Sequence, residues 1–147
     1  MDEIAIINGP NLNMLGVRDQ IVYGKKSLSD INHELMVIAE KNGISINFFQ
    51  SNHAGEIIDY IQNNYNKWDG LIINPAGLTH SSIVLRDVLE ILNIPIIEVH
   101  ISNIYKRESF RQKSLISGIV KGKITGLGDF GYKAALYYLI KVFKEER

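Results

Sequence analysis

The chain has no cysteine, only three prolines, a single tryptophan and no net charge, sixteen Lys and Arg side chains balancing sixteen Asp and Glu. The missing cysteine removes thiolate and dithiol redox chemistry, and with it any disulfide staple. No staple is needed, because 147 residues make one ordinary domain that buries roughly two-thirds of its unfolded surface. Balanced charge without a dense Lys/Arg stretch leaves nothing to track a phosphate backbone, so nucleic acid is excluded as a partner. No apolar run approaches the length of a membrane span, and Met1-Asp2-Glu3 lacks the positive flank of a secretory signal. A cytoplasmic protein with no membrane partner is expected. His33, His53, His80 and His100 show no close ligand spacing, so no metal site is expected either.

What is there is organised around the first strand and the loop that follows it. Ile4 to Ile7 is a short apolar run that breaks at Gly9-Pro10 and opens a long polar loop holding Asn8, Asn11, Asn13, Arg18 and Tyr23 before any helical pattern begins. A loop that long in a small domain wants a functional reason. Leu28, Ile31, Leu35 and Ile38 then recur at helical spacing, with Ser27 as cap and Asp30 three residues on, and Gly43 ends that helix. Ile44 to Phe49 alternates as a second strand; Ile57, Ile58, Ile61 and Tyr65 mark a second helix that stops in the Asn63-Asn64 cluster. Leu71 to Ile73 reads as strand three, Leu85, Val88, Leu89 and Leu92 as a third helical stripe opened by Thr79-His80, and Ile96 to Val99 as strand four after the break at Pro95. A fifth strand falls within Gly118 to Ile124. Asp129 caps a last helix whose stripe is Tyr132, Leu136, Leu139, Ile140 and Phe143, closing on Lys141, Lys144 and Arg147 as the helix dipole prefers.

Strands alternating with helices imply right-handed βαβ units. The fold class expected is α/β, a flavodoxin-like, doubly wound, five-stranded parallel sheet with helices on both faces, in a single domain over 1–147. In such sheets ligands bind beyond the carboxyl ends of the strands, and three strands here end in polar clusters. Taken one at a time the clusters are unremarked structure: Asn8, Asn11 and Asn13 form turns, Asn74-Pro-Ala-Gly77 with Thr79-His80 caps a helix, a strand-end His100 is hydrogen-bonded core, and Arg107 with Arg111 make a solvated face. Alternation sends Glu98, His100 and Ser102 to one side. Their joint position at one sheet edge points instead to acid–base chemistry on a small polar, anionic molecule.

The runs Asn8-Gly-Pro-Asn-Leu-Asn13, Leu15-Gly-x-Arg18 with Tyr23-Gly24, Ile73-Asn-Pro-Ala76 with Thr79-His80, Glu98-Val-His-x-Ser-Asn103 and Phe110-Arg111 resemble type II 3-dehydroquinate dehydratase across nearly the whole chain. The resemblance implies dehydration of 3-dehydroquinate to 3-dehydroshikimate in the shikimate pathway, by anti elimination through an enolate and with no metal, cofactor or Schiff base. It assigns Tyr23 as the base that takes a proton from carbon 2. Tyrosine is only about one part in a thousand ionised at pH 7, so Arg18 has to supply the positive charge that favours tyrosinate. By the same resemblance Asn11 holds a water against the enolate oxygen, His100 protonates the departing hydroxyl, and Glu98 orients His100. Asn74, Ser102 and the backbone of Ile101 match positions that hold the substrate carboxylate, and His80, Arg111 and Asp87 match those that bind ring hydroxyls. Asp87 falls outside its helix's apolar stripe; its counterpart in the family reaches in from a neighbouring subunit, in trimers that assemble into a dodecamer.

The departures from the family pattern are few. Gln20 stands where proline is usual, which leaves the loop one fewer fixed φ. Gly77 replaces alanine and Tyr105 replaces histidine, neither at a position with a catalytic role. The alternative from another class is a non-catalytic flavodoxin-like module binding a phosphate or flavin, since one fold hosts many functions. Against it, the first loop has no Ser/Thr-Gly phosphate cradle.

Overall fold

The computed structural model describes residues 1–146; Arg147, placed by the sequence pattern at the basic end of the last helix, lies outside the described residues. Five strands, β1 (Asp2–Asn8), β2 (Ile44–Gln50), β3 (Gly70–Asn74), β4 (Ile96–His100) and β5 (Gly122–Thr125), form one sheet in the order β2-β1-β3-β4-β5. All four pairings are parallel, so the flavodoxin-like order stands. The helices are α1 (Gln20–Tyr23), α2 (Leu28–Lys41), α3 (Ala54–Asn64), α4 (Ile83–Leu89) and α5 (Phe130–Glu145).

Alternation along β1 divides the interior. Ile4 and Ile6 belong to one core with Leu35 and Ala39 of α2 and Tyr132, Leu136 and Leu139 of α5, whereas Ala5 and Ile7 belong to the other with Ile57 and Ile61 of α3 and Leu85, Val88 and Leu89 of α4. Each face of the sheet thus receives two helices. At about 25 cal/mol per Å² of apolar surface, these two layers supply the main force that holds the strand ends in register.

Local signals explain most boundaries. Ser27 Oγ accepts from the Asp30 amide at 3.1 Å while Asp30 returns the bond to the Ser27 amide at 3.0 Å, a complete capping box. Gly43, with φ of 67°, takes the left-handed turn after α2. Three expectations need correction. Thr79-His80 does not open α4; those residues close a 3-10 turn over Ala76–His80, and α4 starts at Ile83 under Ser82, whose Oγ accepts from the Leu85 amide. The helix stops at Leu89, so Leu92 packs from the connection beyond it. Asp129 makes no side-chain cap, because its carboxylate takes the Lys26 ammonium at 3.1 Å instead.

Contrary to the expectation that no Gly-x-Gly-x-x-Gly turn is present, Gly126-x-Gly128-x-x-Gly131 spans the turn from β5 into α5. Packing accounts for two of these glycines. A Cβ on Gly126 would lie 2.9 Å from the Asn103 Cβ, and its φ is +88°; one on Gly131 would lie 3.2 Å from Val99 Cγ1, where α5 crosses β4. The backbone form of a dinucleotide fingerprint serves here to seat a helix on a sheet.

Candidate active site

The carboxyl ends of β1 and β3 touch backbone to backbone. The Gly9 amide donates to the Asn74 carbonyl at 2.8 Å, and a Cβ on Gly9 would sit 2.5 Å from the Pro75 carbonyl oxygen, so only glycine fits. Beneath this junction Tyr132 is wholly buried; its hydroxyl donates to Asn8 Oδ1 at 2.6 Å and accepts from Asn74 Nδ2 at 2.9 Å. Burial pushes the Tyr132 phenol well above its ordinary range, so it stays neutral and donates. Asn74 Oδ1 in turn accepts from the Ala76 amide at 3.1 Å. One phenol from α5 therefore fixes the strand-end asparagines of both β1 and β3.

Over that platform lies a cavity of about 220 Å³ lined by Asn11, Arg18, Tyr23, Asn74, His80, His100, Ile101, Ser102 and Arg111, together with Arg107 and apolar groups including Leu12, Ala76 and Ile104. Its volume is below the ~300 Å³ at which pockets for drug-sized ligands begin, which suits one small ring. Among the described residues, the non-glycine positions with positive φ are Asn11 at 71° and Ala76 at 53°, and both line it. Asn tolerates that conformation and Ala does not, at a cost of about 1 kcal/mol, so Ala76 is strained where the chain turns into the site.

Tyr23 reaches the cavity from α1, a single helical turn that the sequence pattern did not reveal inside the long loop. The Asp19 carboxylate caps the turn by accepting from the Ile21 amide at 3.2 Å, and Gln20 Nε2 donates to the Gly16 carbonyl at 2.9 Å. The Gln20 side-chain amide thus closes the loop on itself, a bond that a proline at this position could not make. Two guanidinium groups converge on the Tyr23 hydroxyl: Arg18 Nη2 donates at 3.1 Å and Arg107 Nη1 at 2.8 Å. The Arg18 guanidinium also sits 4.0 Å above the ring centre. The sequence pattern places Arg107 on a solvated helical face, whereas the structure turns it into the cavity. The segment is two separate 3-10 turns, Ile104–Lys106 and Ser109–Arg111, and Arg107 between them also donates to Ser102 Oγ at 3.3 Å. Its position five residues past Ser102, in the segment leaving β4, was the available signal.

The acidic partner lies behind the cavity wall. Glu98 is wholly buried, and its Oε2 accepts from His100 Nε2 at 2.5 Å; a carboxylate can only accept, so Nε2 carries the proton. The serines of the segment after Arg111 complete its shell, Ser117 Oγ donating to Oε1 at 2.7 Å and Ser114 Oγ to Oε2 at 3.0 Å. Burial opposes ionisation of Glu98, but the bonds from His100, Ser117 and Ser114 and the charge of His100 together outweigh it and hold the carboxyl below its usual range. His80 Nδ1 is 2.7 Å from the Lys113 carbonyl, which can only accept, so Nδ1 is the donor. Arg111 Nε donates to Glu108 at 2.6 Å. Asp87 is not on this cavity: it is exposed on the outer side of α4.

Three guanidinium groups, two imidazoles and a phenol around one small cavity can bind an anion and move protons on either side of it. Among the described residues no group of three or more His, Asp or Glu side chains is placed to hold a metal ion. The family model described as Dehydroquinase class II matches residues 2–140. A 3-dehydroquinate dehydratase of Halothermothrix orenii is 52% identical over 145 residues, covering 99% of this chain and 98% of that protein. The crystal structure of a type II dehydroquinase from Butyrivibrio crossotus matches with a TM-score of 0.91 at 41% identity, over 94% of this chain and 97% of that one. A second, from Propionibacterium acnes, matches with a TM-score of 0.92 at 36% identity, over 96% and 97%. By sequence and fold this chain is a member of the class II dehydroquinase family.

Proposed function

We propose that the chain dehydrates 3-dehydroquinate to 3-dehydroshikimate in the shikimate pathway, as a single catalytic domain, with Tyr23 as base and His100 as acid. The observation that carries this reading is the pair of guanidinium donors on the Tyr23 hydroxyl, at 3.1 and 2.8 Å, in the same cavity as the Glu98-backed His100. Two guanidinium groups on that oxygen meet the negative charge of a base there with charge-assisted hydrogen bonds. As base, the Tyr23 oxygen takes a proton from carbon 2, beside the ketone, and the electron pair moves into the enolate. Asn11, set in its left-handed turn by a bond from its amide to Asn52 Oδ1 at 2.9 Å, holds a water against the enolate oxygen. The enolate then collapses to form the double bond between carbons 1 and 2. Doubly protonated His100 gives its proton to the hydroxyl leaving carbon 1, which departs as water, and Glu98 holds the ring in place.

Asn74, Ser102 and the Ile101 backbone bind the carboxylate, and His80 and Arg111 bind ring hydroxyls. An analogue lacking one hydroxyl would leave a site group unpaired, so selectivity should be sharp. Asp87 completes the site of a neighbouring subunit, in trimers that assemble into a dodecamer. Support for that assembly comes from α4 and the connection after it, where Ile83 and Val84 on the helix and Ile91 beyond its end are exposed on either side of Asp87 in the chain, an apolar surface suited to a second copy of the chain. The cytoplasmic location belongs to the same proposal; among the described residues no helix is long and apolar enough to cross a membrane.

Tyr23→Phe tests the reading. It removes the oxygen that takes the proton and keeps the ring, so turnover should fall by about a thousandfold or more while substrate binding, measured calorimetrically, is largely kept. A variant within tenfold of wild type would exclude tyrosine as the base.

A further inference from the structure

Glu98 is a wholly buried carboxylate with three donors, and only one of them, His100, comes from its own strand. Its register partners on the flanking strands are Ile73 and Lys123. Ile73 offers no side-chain donor, and the Lys123 ammonium goes to the Tyr105 hydroxyl instead. The remaining lone pairs of Glu98 are met by Ser114 and Ser117, three residues apart in the turn between the Ser109–Arg111 3-10 turn and β5. That turn is itself rigid: Ser114 Oγ accepts from the Ile116 amide at 3.2 Å and the Ser117 amide at 3.1 Å, and Ile116 is fully buried against the α3/α4 core. The Leu115 amide is pinned to the Thr79 carbonyl at 2.8 Å, and the Leu115 carbonyl accepts from Arg86. A carboxylate so placed has one orientation in which all its bonds are made, and that orientation is the one that aims Oε2 at His100 Nε2.

We infer that Ser114 and Ser117 are positioning residues for the reaction: they lock the carboxylate of Glu98 in the orientation that holds the His100 ring, and so set the rate of proton delivery without touching substrate. This rests on the proposed role of His100 as acid and Glu98 as its partner. Ser117 is the sharper probe, because its Oγ makes a single bond, to Glu98, whereas Ser114 also caps the turn. Without the Ser117 hydroxyl the Oε1 side of the carboxylate faces a buried position with no donor, and the group can rotate away from the imidazole. Neither serine lines the cavity, so binding should be spared.

The test is steady-state kinetics on the full chain with Ser117→Ala, Ser117→Thr, Glu98→Gln, His100→Ala and the double variant Ser117→Ala/Glu98→Gln. Ser117→Ala should lower kcat about tenfold, the size of one hydrogen bond to a charged acceptor, with KM within about twofold, and Ser117→Thr, which keeps the hydroxyl, should recover kcat to within about threefold of wild type. In the Glu98→Gln background Ser117→Ala should change kcat by less than about twofold, because a residue acting through Glu98 has nothing left to act on. Equal losses in both backgrounds, or a Ser117→Ala enzyme with unchanged kcat, would overturn the inference while leaving the acid assignment intact. If His100→Ala and Glu98→Gln themselves keep wild-type kcat, the acid assignment fails and this inference falls with it.

Discussion

Tyr132→Phe removes one oxygen atom from the centre of the molecule, and its cost can be worked from what that oxygen touches. The hydroxyl donates to Asn8 Oδ1 at 2.6 Å and accepts from Asn74 Nδ2 at 2.9 Å, with all three side chains buried to 97% or more of their surface. Phenylalanine keeps the ring packing against β1 and α2 but leaves an amide oxygen and an amide N–H without their partner, at about 1–3 kcal/mol each. A lesser burial cost for the benzyl ring offsets part of this, so a net loss of about 2–4 kcal/mol is expected, equivalent to a fall of about 5–15 °C in Tm for a chain of this size. The measurement is urea unfolding at fixed protein concentration, since the proposed assembly would make the midpoint concentration-dependent. Tyr137→Phe, on the exposed side of α5, is the control and should be neutral. The sign of the pH dependence follows from the raised folded-state value of Tyr132. Above about pH 10 the unfolded chain ionises this phenol and the folded one does not, so the tyrosine enzyme loses stability there and the phenylalanine variant does not lose that share. The gap between them should therefore narrow above pH 10. A gap under about 0.5 kcal/mol at neutral pH, where surface changes fall, would refute the view that this hydroxyl ties the two strand ends together.

Other expectations follow from the same geometry. Asp87→Ala should raise KM by about tenfold, the loss of one charged hydrogen bond, with little change in Tm, and a dilution that dissociates the assembly should reduce activity while circular dichroism shows a folded subunit; a fully active monomer by sedimentation would defeat both. Glu98→Gln should destabilise the fold with a distinct pH signature: because the carboxyl is held below its ordinary value of 4.5, its contribution is fully present above about pH 4.5 and is lost as pH falls through the folded value, so the gap in urea midpoint between wild type and variant should shrink on acidification. A gap that widens below pH 4.5 would contradict the ionised state of Glu98.

The sheet was legible in the sequence because its strands are short, apolar and separated by helices with clean periodicity: Ile4, Ile6, Leu35, Tyr132 and Leu139 pack as their spacing requires. The positions of Asn11, Arg18, Tyr23, His80 and His100 were legible only as residues beyond strand ends, and resemblance supplied their roles. What the sequence hid was set by contacts far along the chain. Arg107 looks like a solvated cation until Tyr23, 84 positions away, is folded onto it. Asp129 looks like a cap until Lys26 claims its carboxylate. Ser114 and Ser117 carry no catalytic pattern of their own, and only the burial of Glu98 gives them work. The helix at Gln20–Tyr23 is a single turn, too short to show a 3.6-residue period.

The measurement closest to the central claim is the absorbance of the purified protein mixed with 3-dehydroquinate in the presence of a chelator. Elimination conjugates the new double bond with the ketone and the carboxylate, so an enone band should grow at a rate proportional to protein concentration, and Tyr23→Phe should abolish it. No enone, or an activity that the chelator removes, would contradict the account.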